Sequence, residues 1–174
     1  MRQRFAATEE AHQQAYALVA KATFDRFGTA VAPDATFTLR LAFGVVKGYR
    51  VDGADIPFQT TFAGLFERSA DHGNEEPFRL PPRWQTAKAK LDLTVPLNFV
   101  STADTIGGNS GSPVLNRAGE LVGINFDRNR HGLVRNFVYT DEQARHIAVH
   151  SRGVLEALRS LYDAGPLVKE LTGP

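Results

Sequence analysis

The 174-residue chain predicts a mainly β fold of the α+β class, one six-stranded Greek-key β-barrel with a helix at each end. Three observations predict it. Apolar residues recur at helical spacing near both termini. Between them the chain breaks into short apolar runs punctuated by Gly, Pro and Asp-Gly. No internal repeat or low-complexity tract divides it.

The elements follow in order. Residues Thr8 to Phe24 are rich in Ala, Gln and Glu, and Ala11, Ala15, Leu18, Val19 and Ala22 share one face of an amphipathic helix that Gly28 and Pro33 end. From Thr36 to Phe43 the side chains alternate: Phe37, Leu39, Leu41 and Phe43 on one face, Thr36, Thr38 and Arg40 on the other. That is a half-buried strand. Val45 to Val51 is a second, with Gly44 and Asp52-Gly53 as punctuation. Thr60 to Ala70 reads as a short helix with Phe62, Leu65 and Phe66 inward, and Asp71 to Pro82 as an exposed loop. Trp84 and Lys88-Ala-Lys90 lead to a strand at Val95 to Val100. Val114-Leu115, Leu121 to Phe126, Phe137 to Tyr139 and Ile147 to Val149 supply the remaining strands. Ser151 to Ala164 closes the chain as a helix with Val154, Leu155, Leu158, Leu161 and Tyr162 on one face, stopped by Gly165-Pro166.

Composition narrows the function classes. Hydrophobic content of 43% and charged content of 22% are those of a globular protein with a real core. A net charge of +1 gives no reason to expect nucleic acid or an anionic membrane surface as partner. No apolar run approaches the ~20 residues that span a bilayer. With no cysteine there is neither a disulfide nor a thiolate metal site. The start, Met-Arg-Gln-Arg-Phe, has no apolar stretch behind it and does not read as an export signal. There is no phosphate-binding loop, dinucleotide fingerprint or spaced His/Glu metal motif, so neither cofactor nor metal is expected.

The chemistry concentrates in Gly107 to Pro113, Gly-Gly-Asn-Ser-Gly-Ser-Pro, between two strand-like segments. A serine nucleophile needs a tight turn that projects Oγ, with backbone N–H groups beside it aimed at one oxyanion. Glycines permit that turn, where a Cβ would obstruct it. The segment resembles the nucleophile region of chymotrypsin-fold serine peptidases, with Asn109 in place of the usual Asp and Ser112 in place of a Gly. With Ala103-Asp104 upstream and Gly-Glu-Leu-Val-Gly-Ile-Asn-Phe-Asp-Arg-Asn downstream, it resembles the bacterial dipeptidyl-peptidase 7 and 11 family, peptidase family 46 of the serine class. Pro33 to Leu41 and Val46-Lys47-Gly48-Tyr49 extend the likeness over most of the chain.

That resemblance implies a C-terminal barrel of a chymotrypsin-like double-barrel peptidase. Residues 1–27 would end a helical domain, 28–149 form the barrel and 150–174 the C-terminal helix. Ser110 becomes the nucleophile, and the N–H groups of Gly108 and Ser110 the oxyanion hole. Asp127, by the same resemblance, binds the free α-amino group of an oligopeptide substrate. Arg128 binds an acidic side chain before the scissile bond (P1); its fork of donors suits a carboxylate. The catalytic His and Asp are expected in a missing N-terminal barrel that precedes a helical domain, leaving this chain inactive alone. The full-length form is implied to be a periplasmic homodimer.

The chain's own histidines, His12, His72, His131, His146 and His150, read as exposed or structural. His150 with Asp104 is the lesser local pairing, and no spacing rebuilds a triad around Ser110. Asp104 and Asn109 are expected to hold the loop through side-chain to backbone bonds. Arg128, Arg130 and Arg135 form either an attractive patch for acidic substrate or a solvated rim. Most phenylalanines are expected in the core. The alternative reading is a truncated, non-catalytic barrel remnant that binds peptide or a partner chain.

Overall fold

Helix-favouring composition at the amino terminus forms α1, Arg2–Phe27, which tightens into a 3₁₀ turn at Gly28–Ala30. The computed structural model describes residues 2–30 and 39–173. It divides into two units, Met1–Leu41 and Ala42–Pro174. In the first, α1 is longer than predicted, and its apolar residues are spread round the helix instead of forming one stripe. Residues 36–38 of the predicted strand, and Pro33, lie outside the described residues. Its remaining part, 39–43, has no regular secondary structure.

The second unit carries the sheet. Val46 makes one bridge to Ser101, and a hairpin follows, β1 (Tyr49–Val51) with β2 (Ala54–Ile56). Asp52 and Gly53 both take positive φ, 50° and 82°, as the two central residues of a type I′ turn do. β3 (Gln59–Thr61), β4 (Pro96–Ser101), β5 (Pro113–Leu115), β6 (Leu121–Arg128) and β7 (His146–His150) form an antiparallel sheet in the order β3-β4-β7-β6-β5. The described residues thus hold a mixed helix and sheet fold with a five-stranded sheet and a separate hairpin. No sixth strand joins the sheet among them.

Two connections hold helical turns that the sequence reading did not give. The strand predicted at Phe137 to Tyr139 is absent; a 3₁₀ segment, Arg130–Asn136, fills the connection instead and leads into a turn. Its fixing group is Arg135, whose side chain reaches back to four carbonyls, described below. Trp84 lies in a short helix, α3 (Pro82–Ala87), because Pro81-Pro82 sets the φ of a first helical turn where no N–H is needed.

The core cluster gathers α2 (Phe62–Asp71) against α3, the 91–95 segment and the start of β4. Thr61 caps α2 by accepting from the Gly64 N–H at 3.3 Å. Phe62 and Phe66, one turn apart, are buried with Leu91 and Val95, and Trp84, Leu93 and Leu97 pack around them. Burial of each ring contributes roughly 2–3 kcal/mol. The closing helix begins as α4 (Ser151–Glu156) and widens into a π turn at Ala157–Leu161, with Tyr162 N–H donating to Ala157 O at 3.0 Å. Gly165-Pro166 does not end a helix but opens α5, Gly165–Thr172, where proline's missing N–H costs nothing. No helix among the described residues is long and apolar enough to cross a membrane.

Candidate active site

The Gly107 to Pro113 loop is stitched to β6 on one side and folded on itself on the other. Gly111 N–H donates to Asn125 O at 2.8 Å, and Asn125 N–H donates to Ser112 O at 2.9 Å, so the loop runs straight into the β5–β6 ladder. Within the turn, Asn109 N–H donates to Ile106 O at 3.1 Å and Ser112 N–H to Asn109 O at 3.0 Å. The Asn109 carboxamide accepts from Ile106 N–H at 2.8 Å, as expected of it. Asp104, by contrast, is exposed and makes no hydrogen bond among the described residues.

Gly108 and Gly111 bracket Ser110 with φ of 100° and 87°, backbone that a side chain would strain. Neither the Gly108 nor the Ser110 N–H has a hydrogen-bond partner among the described residues, and both sit on an exposed loop. Ser110 Oγ is exposed and donates to Phe126 O at 3.3 Å. The proton that a base would remove is therefore parked on a carbonyl of β6, and no imidazole is bonded to this hydroxyl.

That same carbonyl marks a slip in register. Asn125 pairs with Ala148 and Asp127 with Ile147, leaving Phe126 as the extra residue of a bulge. The bulge re-aims the strand end, and Asp127 and Arg128 stand there one and two residues past the serine's acceptor. The Asp127 carboxylate is exposed and accepts from Arg128 N–H at 2.8 Å. Arg128 is half-buried; Nη2 donates to Asn136 Oδ1 at 2.8 Å, while Nη1 is shielded from water and has no acceptor among the described residues. The structure thus brings Ser110 beside the Asp127-Arg128 segment, 17 residues away in sequence.

The histidines are placed elsewhere. His150 does not pair with Asp104: its Nδ1 accepts from Arg152 N–H at 3.1 Å and caps α4, and its ring meets Phe99 edge-on. His146 forms a pair that sequence reading missed, with its Nδ1 2.7 Å from Ser101 Oγ. The two have the separation of a hydroxyl and its base, but Ser101 and His146 are both buried, 6% and 2% exposed, out of reach of any substrate. Burial, then the nearby Arg135 charge, pushes the His146 pKa down to about 4, so the ring is neutral. Only a buried Ser on β4 opposite a His on β7 signals this pair, and that requires knowing the register.

Arg135 is not part of a solvated rim. It is buried, with Nε donating to Thr140 O, Nη1 to Ala103 O, and Nη2 to Thr102 O and Ala144 O, at 2.7–3.2 Å. It ties the 130–136 segment to the strand that leads into the serine loop. Arg145, 2% exposed, does the same for the hairpin, with bonds to the carbonyls of Lys47, Gly48, Asp141 and Ala144. Burial holds its pKa below the ordinary arginine value, partly offset by the Asp141 carboxylate.

With this geometry in place, comparison with known proteins is specific. The family model for Peptidase S46 matches residues 1–173. The Asp/Glu-specific dipeptidyl-peptidase of Porphyromonas gingivalis is 37% identical over 148 residues, 80% of this chain and 20% of that protein. A dipeptidyl-peptidase 7 of Phocaeicola vulgatus is 37% identical over 150 residues, 81% of this chain and 20% of its own. The crystal structure of Porphyromonas endodontalis DPP11 in complex with the dipeptide Arg-Asp superposes with a TM-score of 0.71 at 32% identity, over 87% of this chain and 23% of that one. The chain spans about a fifth of the length of the curated relatives it matches. Loop, sheet and sequence agree, and the chain belongs to the Peptidase S46 family.

Proposed function

We propose that this chain is the nucleophile-bearing C-terminal part of a serine dipeptidyl peptidase that releases N-terminal dipeptides from oligopeptides after Asp or Glu. The observation that carries this reading is the anchoring of the Ser110 loop on β6 directly before Asp127-Arg128. In the proposed reaction Ser110 Oγ attacks the carbonyl carbon of the second residue as a histidine from the preceding part of the enzyme takes its proton. The oxyanion is held by the Gly108 and Ser110 N–H groups. Collapse breaks the C–N bond, and the histidine returns the proton to the leaving amine. Water then hydrolyses the seryl ester, frees the dipeptide and restores the hydroxyl.

Asp127, exposed at the strand end, offers a carboxylate to the substrate α-ammonium, which restricts cleavage to the second peptide bond. Arg128, half-buried at the strand end, offers the P1 carboxylate its guanidinium. Relatives named Asp/Glu-specific, and a DPP11 solved with Arg-Asp, support this assignment. The missing base is assigned to an N-terminal barrel, and the sheet here, with its hairpin, to the second barrel of a six-stranded Greek-key pair. Apolar side chains exposed around the serine, among them Ile106, Leu115, Ile124 and Phe126, support a covering partner on this face. A periplasmic setting follows from the same resemblance.

The test is Arg128→Gly in an enzyme assembled from this chain and the amino-terminal part of a relative. Cleavage after Asp or Glu should fall at least ~100-fold, the scale of a lost charge-assisted pair. Unchanged kinetics on an Asp-containing dipeptide substrate would exclude Arg128 as the P1 reader.

A further inference from the structure

Arg128 ends a strand, and a guanidinium on a flexible stem recognises a carboxylate well only if the stem is held. The 130–136 segment supplies two fixing points. At the head, Asn136 Oδ1 accepts from Nη2 at 2.8 Å. Along the stem, Gly132 is buried so closely that a Cβ there would lie 3.1–3.3 Å from Cβ, Cγ and Cδ of Arg128. That is tighter than ordinary packing, so a larger residue requires the arginine stem to give by a few tenths of an ångström. The segment itself cannot drift, because Arg135, between these two residues, is bonded to the carbonyls of Thr102, Ala103, Thr140 and Ala144. Gly132 N–H also donates to Asn129 O at 2.8 Å.

From this geometry we infer that Gly132 and Asn136 are positioning residues that set the acidic P1 preference by holding the Arg128 stem and guanidinium in place. The inference rests on the reading of Arg128 given above. An amide is suited to this role because it accepts from Nη2 without cancelling the positive charge that the substrate is to meet. Gly132 acts through shape alone. Its effect on specificity therefore vanishes when the arginine stem is removed, which a general structural role does not predict.

The experiment is a pair of double-mutant cycles in the assembled enzyme, Asn136→Ala and Gly132→Ala, each with and without Arg128→Gly. Substrates carry Asp or an apolar residue at P1. Asn136→Ala should raise KM for the Asp substrate roughly tenfold, the scale of one charge-assisted hydrogen bond, and Gly132→Ala should raise it in the same direction, with kcat/KM for the apolar substrate unchanged in both. On the Arg128→Gly background neither substitution should have a further effect on either substrate. Equal losses on both substrates, or full losses persisting without Arg128, would overturn the inference while leaving Arg128 as the reader. If Arg128→Gly itself leaves the acidic preference intact, or the assembled wild-type enzyme releases no dipeptide, the underlying reading fails and the inference with it. Thermal unfolding of the assembled enzyme provides a separate check on packing. The change in Tm on Gly132→Ala should be less favourable in the parent than on the Arg128→Gly background; an equal change in both contradicts the proposed contact.

Discussion

At the residue scale, the chain separates groups that meet solvent from groups that hold the backbone. Ser110 and Asp127 are exposed and lightly tied, while His146, Arg135 and Arg145 are buried and bonded. His146 has a consequence for stability. Its folded pKa is about 4 against an unfolded value near 6.5. Above both values folded and unfolded chains are equally unprotonated. Between them the unfolded chain takes up a proton that the folded ring refuses, so stability falls as pH drops through that window, by up to ~3 kcal/mol. Urea unfolding at about pH 7.5 and about pH 4.5 should show this loss, and His146→Gln should remove most of it. A variant that keeps the full pH slope contradicts the assignment. Ser110, Gly108, Asn109, Asp127 and Arg128 stand out beforehand by likeness to a family's motif, and the hold of Asn109 on its own loop was legible with them. Asn136 and Gly132 do not, because their significance comes from a contact with Arg128 that no spacing announces.

At the element scale, the 130–136 segment and the β1–β2 hairpin depend on arginines that bond only to carbonyls. Arg145→Ala strips the carbonyls of Lys47 and Gly48 of their guanidinium partner and should destabilise the chain by about 3 kcal/mol or more. A denaturation midpoint that barely moves would show that these carbonyls find other partners. The same arginines explain where sequence reading fell short. Phe137 to Tyr139 has the composition of a strand, yet Arg135 commits the preceding residues to a 3₁₀ path, and tertiary bonding overrides propensity. Gly165-Pro166 carries the signal of a helix stop as clearly as that of a helix start, and only the chain's direction after Asp163 distinguishes them. Strands β4, β6 and β7 and helix α2 were legible as short apolar runs and a Phe pair one turn apart, but the inward face of β6 was not: Gly123 and Asn125 are buried there while Leu121, Ile124 and Phe126 are exposed.

At the scale of the whole molecule, the Ser110 face exposes apolar surface that the expectation of core phenylalanines did not foresee. Phe126 and Phe137 are 45% and 91% exposed, whereas Phe62, Phe66 and Phe99 are buried. Residues that look like core in sequence are core only where something covers them, and this chain spans about a fifth of its relatives. Expressed alone it should associate or aggregate, and co-expression with the amino-terminal part of a relative should restore a soluble species, as size-exclusion chromatography would report. The central claim is that Ser110 is a nucleophile whose base lies outside this chain. Labelling with a fluorophosphonate probe, read by intact mass, tests it most directly. The isolated 174-residue protein should remain unlabelled at Ser110, and the assembled enzyme should take up one probe there; stoichiometric labelling of the isolated chain would contradict the account.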